Sequence, residues 1–340
     1  MRRVQPAAIE PPVAQRGSLL YVLGGQQRRP RPLSAGNRLW EGYDTGVIVE
    51  VNPSTGDRNA YLEHATPAHL CAAEDPEILF QSGTVSDGKL YACTGTEVIT
   101  YSLPEFQQVG YLSLPWFNDV HHVRPWTNGS LLVASAGLDL VLQVGSDGKV
   151  QRIWNVLGED PWERFSPDTD YRLVGSTKPH RSHPNYIFCI DDDIWVTRFH
   201  QSDAVCLTGS GRIQISGERI HDGIVYGDHV YFTSVNGTIV VASTKTLQVE
   251  EVIDLTAMHP KETLLGWCRG ILLDGDKMWV GYSRIRPTKA RENVAWLMRR
   301  FKHVRGTHIA CYDLNTRTCI TEIDLESAGL NAVFSIFQTP

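Results

Sequence analysis

The sequence lacks the features that define several large classes of protein. Its 340 residues contain no run of about 18 uncharged apolar residues, the length that a membrane-spanning helix requires, so no transmembrane segment is predicted. Residues 1–16 include Arg2 and Arg3 but no apolar segment after them, which predicts an N-terminal arm and not a signal peptide. Charged residues at 21% and hydrophobic residues at 42% exclude a disordered, collagen-like or coiled-coil chain.

Cysteines and an excess of one charge are also scarce. The seven cysteines are widely separated, and no two have the spacing of a zinc knuckle or a redox pair. A disulfide framework is therefore not indicated, and we predict a reducing, cytoplasmic location. The formal net charge of −6 provides no general attraction for nucleic acid, so no nucleic-acid partner is predicted.

The chain does contain many short segments of alternating polarity, each bounded by turns rich in Gly, Asn and Asp. This pattern is typical of an all-β protein. Two kinds of tight turn recur along the chain, and together they define a repeating unit of four strands, A to D. The clearest strands that follow an A–B turn lie at residues 89–94, 130–136, 194–199, 229–234 and 277–282.

The turn count predicts how the repeats close into a ring. Six C–D turns but only five A–B turns are present, so one blade is split between the two ends of the chain. In this blade, residues 332–338 provide strand A and residues 18–24, 46–51 and 58–62 provide strands B to D. The predicted fold is an all-β, six-bladed β-propeller that forms a single domain over residues 17–340. Five or seven blades are the alternatives, because the repeats of this first blade are the weakest.

The long connections predict one functional face. They lie between strands B and C (residues 26–45 and 283–307) or between D and A (residues 63–78, 157–182 and 256–265). Both kinds of connection emerge on the same side of a propeller, whereas tolerated insertions would be scattered over both sides. Long loops on a rigid scaffold usually form binding sites or lids.

Histidines from three successive blades are predicted to meet at this face. His122, His183 and His221 each lie near the start of a strand A, and Gln81 has the equivalent place in the second blade. Neutral imidazoles that converge from separate strands can hold a divalent metal ion, with Fe, Mn or Zn favoured. His121 is predicted to be a substitute ligand or a general base.

Alternatives for this site remain open at the level of sequence. His180 or Asn185 can take the place of His183, and each histidine taken alone can be a structural residue. A calcium or magnesium site would instead use oxygen ligands. The candidates for such a site are Asn118 or Asp119, Asn185, Asp222 and Asn331.

Further residues near the predicted metal suggest how a substrate binds. Arg269 is predicted to bind a carboxylate or phosphate, with Trp267, Asn185 and Asp119 as other substrate contacts. Asp222 is a predicted catalytic residue or an ion-pair partner of Arg269. A lowered thiol pKa at Cys268 is a weaker hypothesis, because no base is assigned to it.

The connection at residues 284–306 is strongly basic. It contains eight Lys and Arg residues against a single acid, Glu292, and its apolar residues recur at helical spacing. Residues 289–304 are therefore predicted to form an amphipathic helix. The predicted role is a lid over the channel mouth, and the alternatives are a membrane-surface helix, a partner-docking element or a helix that only packs on the propeller.

With six predicted blades and these polar residues at the channel mouth, the chain resembles in architecture the gluconolactonase-like, paraoxonase-like and strictosidine-synthase-like six-bladed propellers. The metal-dependent members hold calcium or a related ion with Asn, Asp and Glu, which implies such roles for Asn118, Asp119, Asn185 and Asp222. The histidines more closely resemble those of propeller enzymes that hold manganese or iron, such as oligogalacturonate lyases and carotenoid cleavage oxygenases. This second resemblance implies a set of three histidines completed by Gln81.

Taken together, these features predict a metal-dependent enzyme that acts on a small anionic organic substrate at the channel mouth. A lyase or hydrolase reaction fits the residues, because neither needs a redox partner. A non-haem iron or copper oxygenase is the first alternative. The second is a propeller without catalytic activity that binds a ligand or a protein.

Overall fold

The computed structural model describes residues 19–28, 42–215, 219–285 and 302–339. These residues form six four-stranded antiparallel sheets arranged as the blades of a propeller, which confirms the predicted fold. The first blade, from the innermost strand outward, consists of β26 (Ala332–Gln338), β1 (Leu20–Gln27), β2 (Tyr43–Val51) and β3 (Arg58–His64).

The other five blades follow in chain order, and each is given from its innermost strand outward. The second is β4 (Ser82–Ser86), β5 (Lys89–Cys93), β6 (Val98–Ser102) and β7 (Gln107–Leu112). The third is β8 (Val120–Pro125), β9 (Leu131–Ser135), β10 (Leu140–Val144) and β11 (Val150–Asn155). The fourth is β12 (Pro184–Ile190), β13 (Asp193–Arg198), β14 (Asp203–Cys206) and β15 (Arg212–Gln214).

The last two blades complete the ring. The fifth is β16 (Ile224–Tyr226), β17 (His229–Thr233), β18 (Thr238–Ser243) and β19 (Val249–Asp254). The sixth is β21 (Trp267–Asp274), β22 (Lys277–Ser283), β24 (His308–Asp313) and β25 (Thr318–Asp324). A separate parallel pair joins β20 (Thr263–Leu264) to β23 (His303–Val304).

Closure of the ring follows the predicted arrangement. Strand β26 pairs antiparallel with β1, from Leu20 opposite Gln338 to Gly25 opposite Ala332. The two strands approach closely at Gly24, where a Cβ atom would lie 1.7 Å from the carbonyl oxygen of Ala332. Only glycine fits at this position, so the sequence is adapted to the pairing of its two ends.

Turn chemistry and burial explain why these segments form blades. Asp87 and Gly88, which join β4 to β5, both have positive φ (50° and 68°), as a two-residue hairpin turn requires. Apolar residues of neighbouring blades pack together between the sheets, and one such cluster includes the fully buried Leu20, Ile309 and Val333. Burial of these faces holds each blade against the next.

All long connections in the described residues leave the blades on one face, as predicted, because tight turns join strands A–B and C–D. Their helical segments are short 3₁₀ turns, of which the longest is Leu255–Met258, and they also contain the paired strands β20 and β23. The described part of the chain contains no α-helix, and none of its helical segments has the length and hydropathy needed to cross a membrane.

The predicted amphipathic helix at residues 289–304 lies outside the described residues as far as residue 301. Its last two residues, His303 and Val304, form strand β23 and are not helical. Described cations at the base of this connection have acidic partners on the same blade and its loops. These ion pairs are Arg284–Glu326, Lys302–Glu262 and Arg305–Glu322.

Candidate metal centre

β-Bulges shape the innermost strands at the end where the long connections emerge. In β8, Val120 lies opposite Ser135 and His122 opposite Ala134, so His121 is an extra residue with no partner of its own. The register also shifts in β12, in β21 and between β1 and β26. A bulge redirects a side chain out of the regular alternation of a strand, and bulges are frequent beside active sites.

Asp119, His121 and His183 come together at this end of the ring. One ligand atom from each residue can be chosen so that all three lie within 4.8 Å of one another. Asp119 Oδ1 lies 3.4 Å from Nδ1 of His121, and its Oδ2 lies 4.0 Å from Nδ1 of His183. Two imidazoles and a carboxylate are donors that bind divalent transition metals.

His121 and Asp119 are fixed by the chain around them. Nδ1 of His121 is 3.0 Å from the backbone oxygen of Asp119, to which it donates when the ring is neutral. Asp119 adopts a positive φ of 51° just before β8, and Nε2 of Gln81 donates to its Oδ1 at 3.1 Å. The predicted ligand Gln81 therefore contacts the carboxylate of this cluster.

A buried carboxylate holds the turn that carries His183. Asp139 is 2% exposed, and it accepts hydrogen bonds from the backbone N–H groups of Arg181, Ser182 and His183 at 2.7–3.0 Å. Arg164 donates to the same carboxylate at 3.0 Å and neutralises its charge. These bonds stabilise the positive φ of His183 (61°), which a histidine adopts only when its surroundings favour it.

Burial keeps both imidazoles of the cluster neutral. It lowers the pKa of His121 and of His183 well below the usual value of 6.5. The positive charge of Arg269 lowers both pKa values further. Neutral imidazole is the form that binds a metal ion, so no proton has to be displaced from these rings near neutral pH.

His122, predicted as a ligand, lies outside this cluster. Its ring is fully buried, accepts a hydrogen bond from the N–H of Ile187 at Nδ1 (3.2 Å) and lies 3.2 Å from Oγ1 of Thr84 at Nε2. It also packs against the ring of Tyr186, with centroids 3.7 Å apart and an angle of 33° between the ring planes. Both ring nitrogens are engaged by neighbouring blades, which leaves none for a metal ion.

The other predicted residues surround the opening of the central channel. Asn185, His221, Asp222 and Arg269 line one narrow pocket there, together with His121. His221 is 3% exposed, and its ring centroid is 6.4 Å from that of Trp267. His221 is therefore near the cluster but is not one of the three grouped residues.

Two of these residues have distinct electrostatic surroundings. Asp222 accepts hydrogen bonds from Thr233 Oγ1 (2.5 Å) and from the N–H of Gly270 (2.9 Å), and burial raises its pKa above 3.8. The guanidinium of Arg269 lies 4.7 Å from the ring centre of Phe334, an extra residue in the bulged strand β26. Asn185 donates to the backbone oxygen of Ile220 at 3.0 Å.

A cleft adjoins the cluster and is separate from the channel pocket, although Gln81 lines both. It has a volume of about 100 Å³ and lies between the two loops that follow β3 and β11. Asp119 and Gln81 line its base, and Lys178 and His180 line its side. The cluster thus contributes Asp119 to the lining of the cleft and His121 to that of the channel pocket.

Other candidates from the sequence have structural contacts. The side chain of Asn118 bonds the backbone oxygens of Tyr171 and Val174, and that of Asn331 accepts from the N–H of Gln27. Burial raises the pKa of the Cys268 thiol well above 9.0, which opposes the thiolate hypothesis. All seven cysteines are free, in agreement with their spacing.

Sequence reasoning did not identify Asp139, and it assigned Asp119 to the substrate or to an alternative calcium or magnesium site with oxygen ligands. Asp139 lies after β9, far from the histidines in sequence, and no spacing signal links it to them. The adjacent pair His121-His122 did carry a signal. Two consecutive polar residues break the alternation expected of a strand and indicate an extra residue in it.

Comparisons with known proteins identify the fold and no family. No protein-family model and no curated protein matches the chain. A Bacteroides caccae protein of unknown function is similar in structure, with a TM-score of 0.60, 10% identity and coverage of 95% of this chain and 99% of that one. A chain of the nidogen/laminin complex gives 0.56 at 8% identity, with coverage of 94% and 98%. Streptogramin B lyase gives 0.49 at 12% identity, with coverage of 94% and 95%.

Proposed function

We propose that the protein is a metal-dependent enzyme that acts on a small anionic organic substrate, through a lyase or hydrolase reaction, at the channel mouth. Asp119, His121 and His183 hold the metal ion. The observation that carries this proposal is their convergence from two adjacent blades into one cluster of ligand atoms. The cluster lies on the face that bears all the long connections of the described chain.

The donor set fits a divalent transition metal. Two neutral imidazoles and one carboxylate leave coordination positions open for water or substrate, as in catalytic sites with three protein ligands. Ligand atoms already within 4.8 Å of one another need only small side-chain adjustments to share an ion. Bound there, the ion supplies Lewis acidity and lowers the pKa of a bound water.

The charges around the cluster favour an anionic substrate. Arg269 is close enough to lower the pKa of both histidines, and Lys178 lowers that of His121. A divalent ion would add two positive charges and Asp119 only one negative charge. Arg269 in the channel pocket is the group that binds the carboxylate or phosphate of the substrate.

Asp222 is the candidate acid for proton transfer. It lines the same pocket as Arg269 and His121, and burial raises its pKa. A carboxyl group whose pKa is raised holds its proton closer to neutral pH and can give it to a leaving group. Asp222 therefore serves as general acid, while Arg269 orients the anion.

The ligand set also supports the oxygenase alternative. Two histidines and one carboxylate are the ligands of many non-haem Fe(II) oxygenases. Zinc or manganese in the purified protein favours the lyase or hydrolase. Iron, together with oxygen consumption in the presence of small carboxylic acids, favours the oxygenase.

Elemental analysis of the purified protein tests the proposal. We expect about one metal ion per chain in the wild type after incubation with Zn²⁺, Mn²⁺ or Fe²⁺ and removal of the excess. Asp119→Ala, His121→Ala and His183→Ala are expected to lose it. His229→Ala is the matched control, because His229 is on β17 and pairs with Glu250. Wild-type protein without stoichiometric metal, or ligand variants that retain it, would overturn the proposal.

A further inference from the structure

The channel pocket is too small to hold a whole substrate. Its volume is about 10 Å³, which is room for a single water-sized group beside Arg269. The cleft has about 100 Å³, Asp119 of the cluster lines its base, and Gln81 lines both spaces. A substrate that reaches Arg269 with one oxygen of an anionic group therefore has most of its atoms in the cleft.

Lys178 is a cation without an acidic partner on one wall of this cleft. It belongs to the loop after β11, residues 157–182, whose three arginines are each paired with a carboxylate at 2.6–3.0 Å. These pairs are Arg164–Asp139, Arg172–Asp170 and Arg181–Glu159. The exposed ammonium group of Lys178 has no ion pair or hydrogen bond with any residue that the structure describes.

The backbone around Lys178 is held beside the cleft. Arg164 donates to the backbone oxygen of Pro179 at 2.9 Å. The hydroxyl of Ser176 accepts from the N–H of Lys178 at 3.3 Å, so its own proton is left to be donated. Ser176 and Lys178 both line the cleft, and together they provide a hydroxyl donor and an ammonium donor for an anionic group.

The opposite wall of the cleft carries the opposite charge. This wall is formed by the loop after β3, from which Glu77 lines the cleft. An anionic group in the cleft is repelled by Glu77 and attracted to Lys178. The charges of the two walls therefore favour one position for such a group.

We propose that the substrate is a small organic dianion, such as a short dicarboxylic acid, whose second anionic group binds to Lys178 and Ser176 in the cleft. This inference rests on the proposed function and names the substrate class of the same site. Lys178 is then a specificity-determining residue, because it distinguishes dianions from monoanions. The metal ion and Arg269 bind the first anionic group in both cases.

Binding to the Mn²⁺-loaded protein tests the proposal with a matched pair of ligands. Succinate and butyrate have the same four-carbon chain, and only succinate has a second carboxylate. Paramagnetic relaxation of the ligand protons shows that a ligand lies near the metal ion, and its titration gives the dissociation constant. We expect the wild type to bind succinate about 10-fold more tightly, the effect of one charge-assisted hydrogen bond. 3-Phosphonopropionate, tested in parallel, identifies which second anionic group the site prefers.

Variants of Lys178 show whether this residue causes the preference. Lys178→Met removes the charge at an exposed position and is expected to bind both ligands equally, with the affinity for butyrate unchanged. Lys178→Arg keeps the charge and is expected to retain the preference. Lys149→Met is the matched control, because Lys149 is an exposed lysine just before β11 that pairs with Asp147, and it is also expected to retain the preference.

The inference and the proposed function fail on different results. Metal-loaded wild type that binds butyrate as tightly as succinate, or a preference that persists in Lys178→Met, would overturn the inference alone. A wild type that holds no metal would refute the proposed function. Saturation-transfer NMR on that metal-free protein would then decide the role of Lys178 by the same two criteria.

Discussion

Replacement of His122 tests whether the adjacent residues His121 and His122 have different roles, one in metal binding and the other in the stability of the fold. In the structure, His121 belongs to the cluster with Asp119 and His183, and His122 joins three blades. We expect His122→Ala to reduce the stability of the fold and to leave the metal content of the folded protein unchanged. His121→Ala is expected to lose the metal ion and to leave the stability of the metal-free fold nearly unchanged.

The magnitude follows from the contacts of the His122 ring. The alanine variant loses a fully buried ring packed against Tyr186, which corresponds to about 2–3 kcal/mol for a large-to-small change. It also leaves the N–H of Ile187 without its acceptor, which costs about 1–3 kcal/mol. We therefore expect a loss of about 4 kcal/mol in the free energy of unfolding. His122→Asn keeps an acceptor for Ile187 and is expected to lose about half of this.

The assay is urea unfolding of the metal-free protein, followed by tryptophan fluorescence and by circular dichroism. A lower midpoint at an unchanged m-value reports a loss of stability. Zinc content is then measured on the folded fraction. His122→Ala within about 0.5 kcal/mol of the wild type, the range of a surface substitution, would refute the structural role. Loss of zinc from folded His122→Ala would show that His122 belongs to the metal site.

Three other predictions concern buried ionisable side chains. Burial lowers the pKa of His259 and of His308 below 6.5, so stability is full above pH 6.5 and falls as the pH decreases towards their folded values. The double variant His259→Asn/His308→Gln should show a shallower fall in thermal midpoint between pH 6.5 and 5. Burial raises the pKa of Glu97, but hydrogen bonds from His64 and other groups outweigh this and hold it below 4.5, so its contribution is present above that pH and lost below it. Glu97→Gln should be less stable at pH 7 by about 2 kcal/mol, with the difference from the wild type vanishing in acid, as measured by urea unfolding across pH. Asp139→Asn should weaken zinc binding by about 10-fold through the backbone of His183, and zinc affinity equal to that of the wild type would contradict this.

The fold was predictable because its signals are local. Turns such as Asp87-Gly88 require residues that tolerate positive φ, and such residues are visible in the sequence at each hairpin. The missing A–B turn located both ends of the chain in one blade, and the pairing of β26 with β1 confirms it. The β-strand at His303–Val304 was missed, because apolar spacing near it favoured a helix.

The site was only partly predictable, because its geometry depends on contacts that are distant in sequence. The face and the candidates His121 and His183 follow from the repeat pattern, but the grouped residues come from two blades and not from the predicted three. The choice between His121 and His122 depends on one extra residue in β8, and the orientation of His183 depends on a carboxylate about forty residues earlier in the chain. Neither feature alters the pattern of hydrophobic residues from which the strands were identified.

The bulges explain how a propeller can direct side chains into its channel. Both faces of each blade pack on neighbouring blades, so a residue in regular register points into an interblade core, as His122 does. A residue that is to face the channel must leave this alternation, and an inserted residue is the simplest way to do so. The lining residues His121, Asn185 and Phe334 all lie where the register shifts. Register shifts at the start of innermost strands are therefore a better guide to channel-facing residues than alignment of the blades by strand alternation.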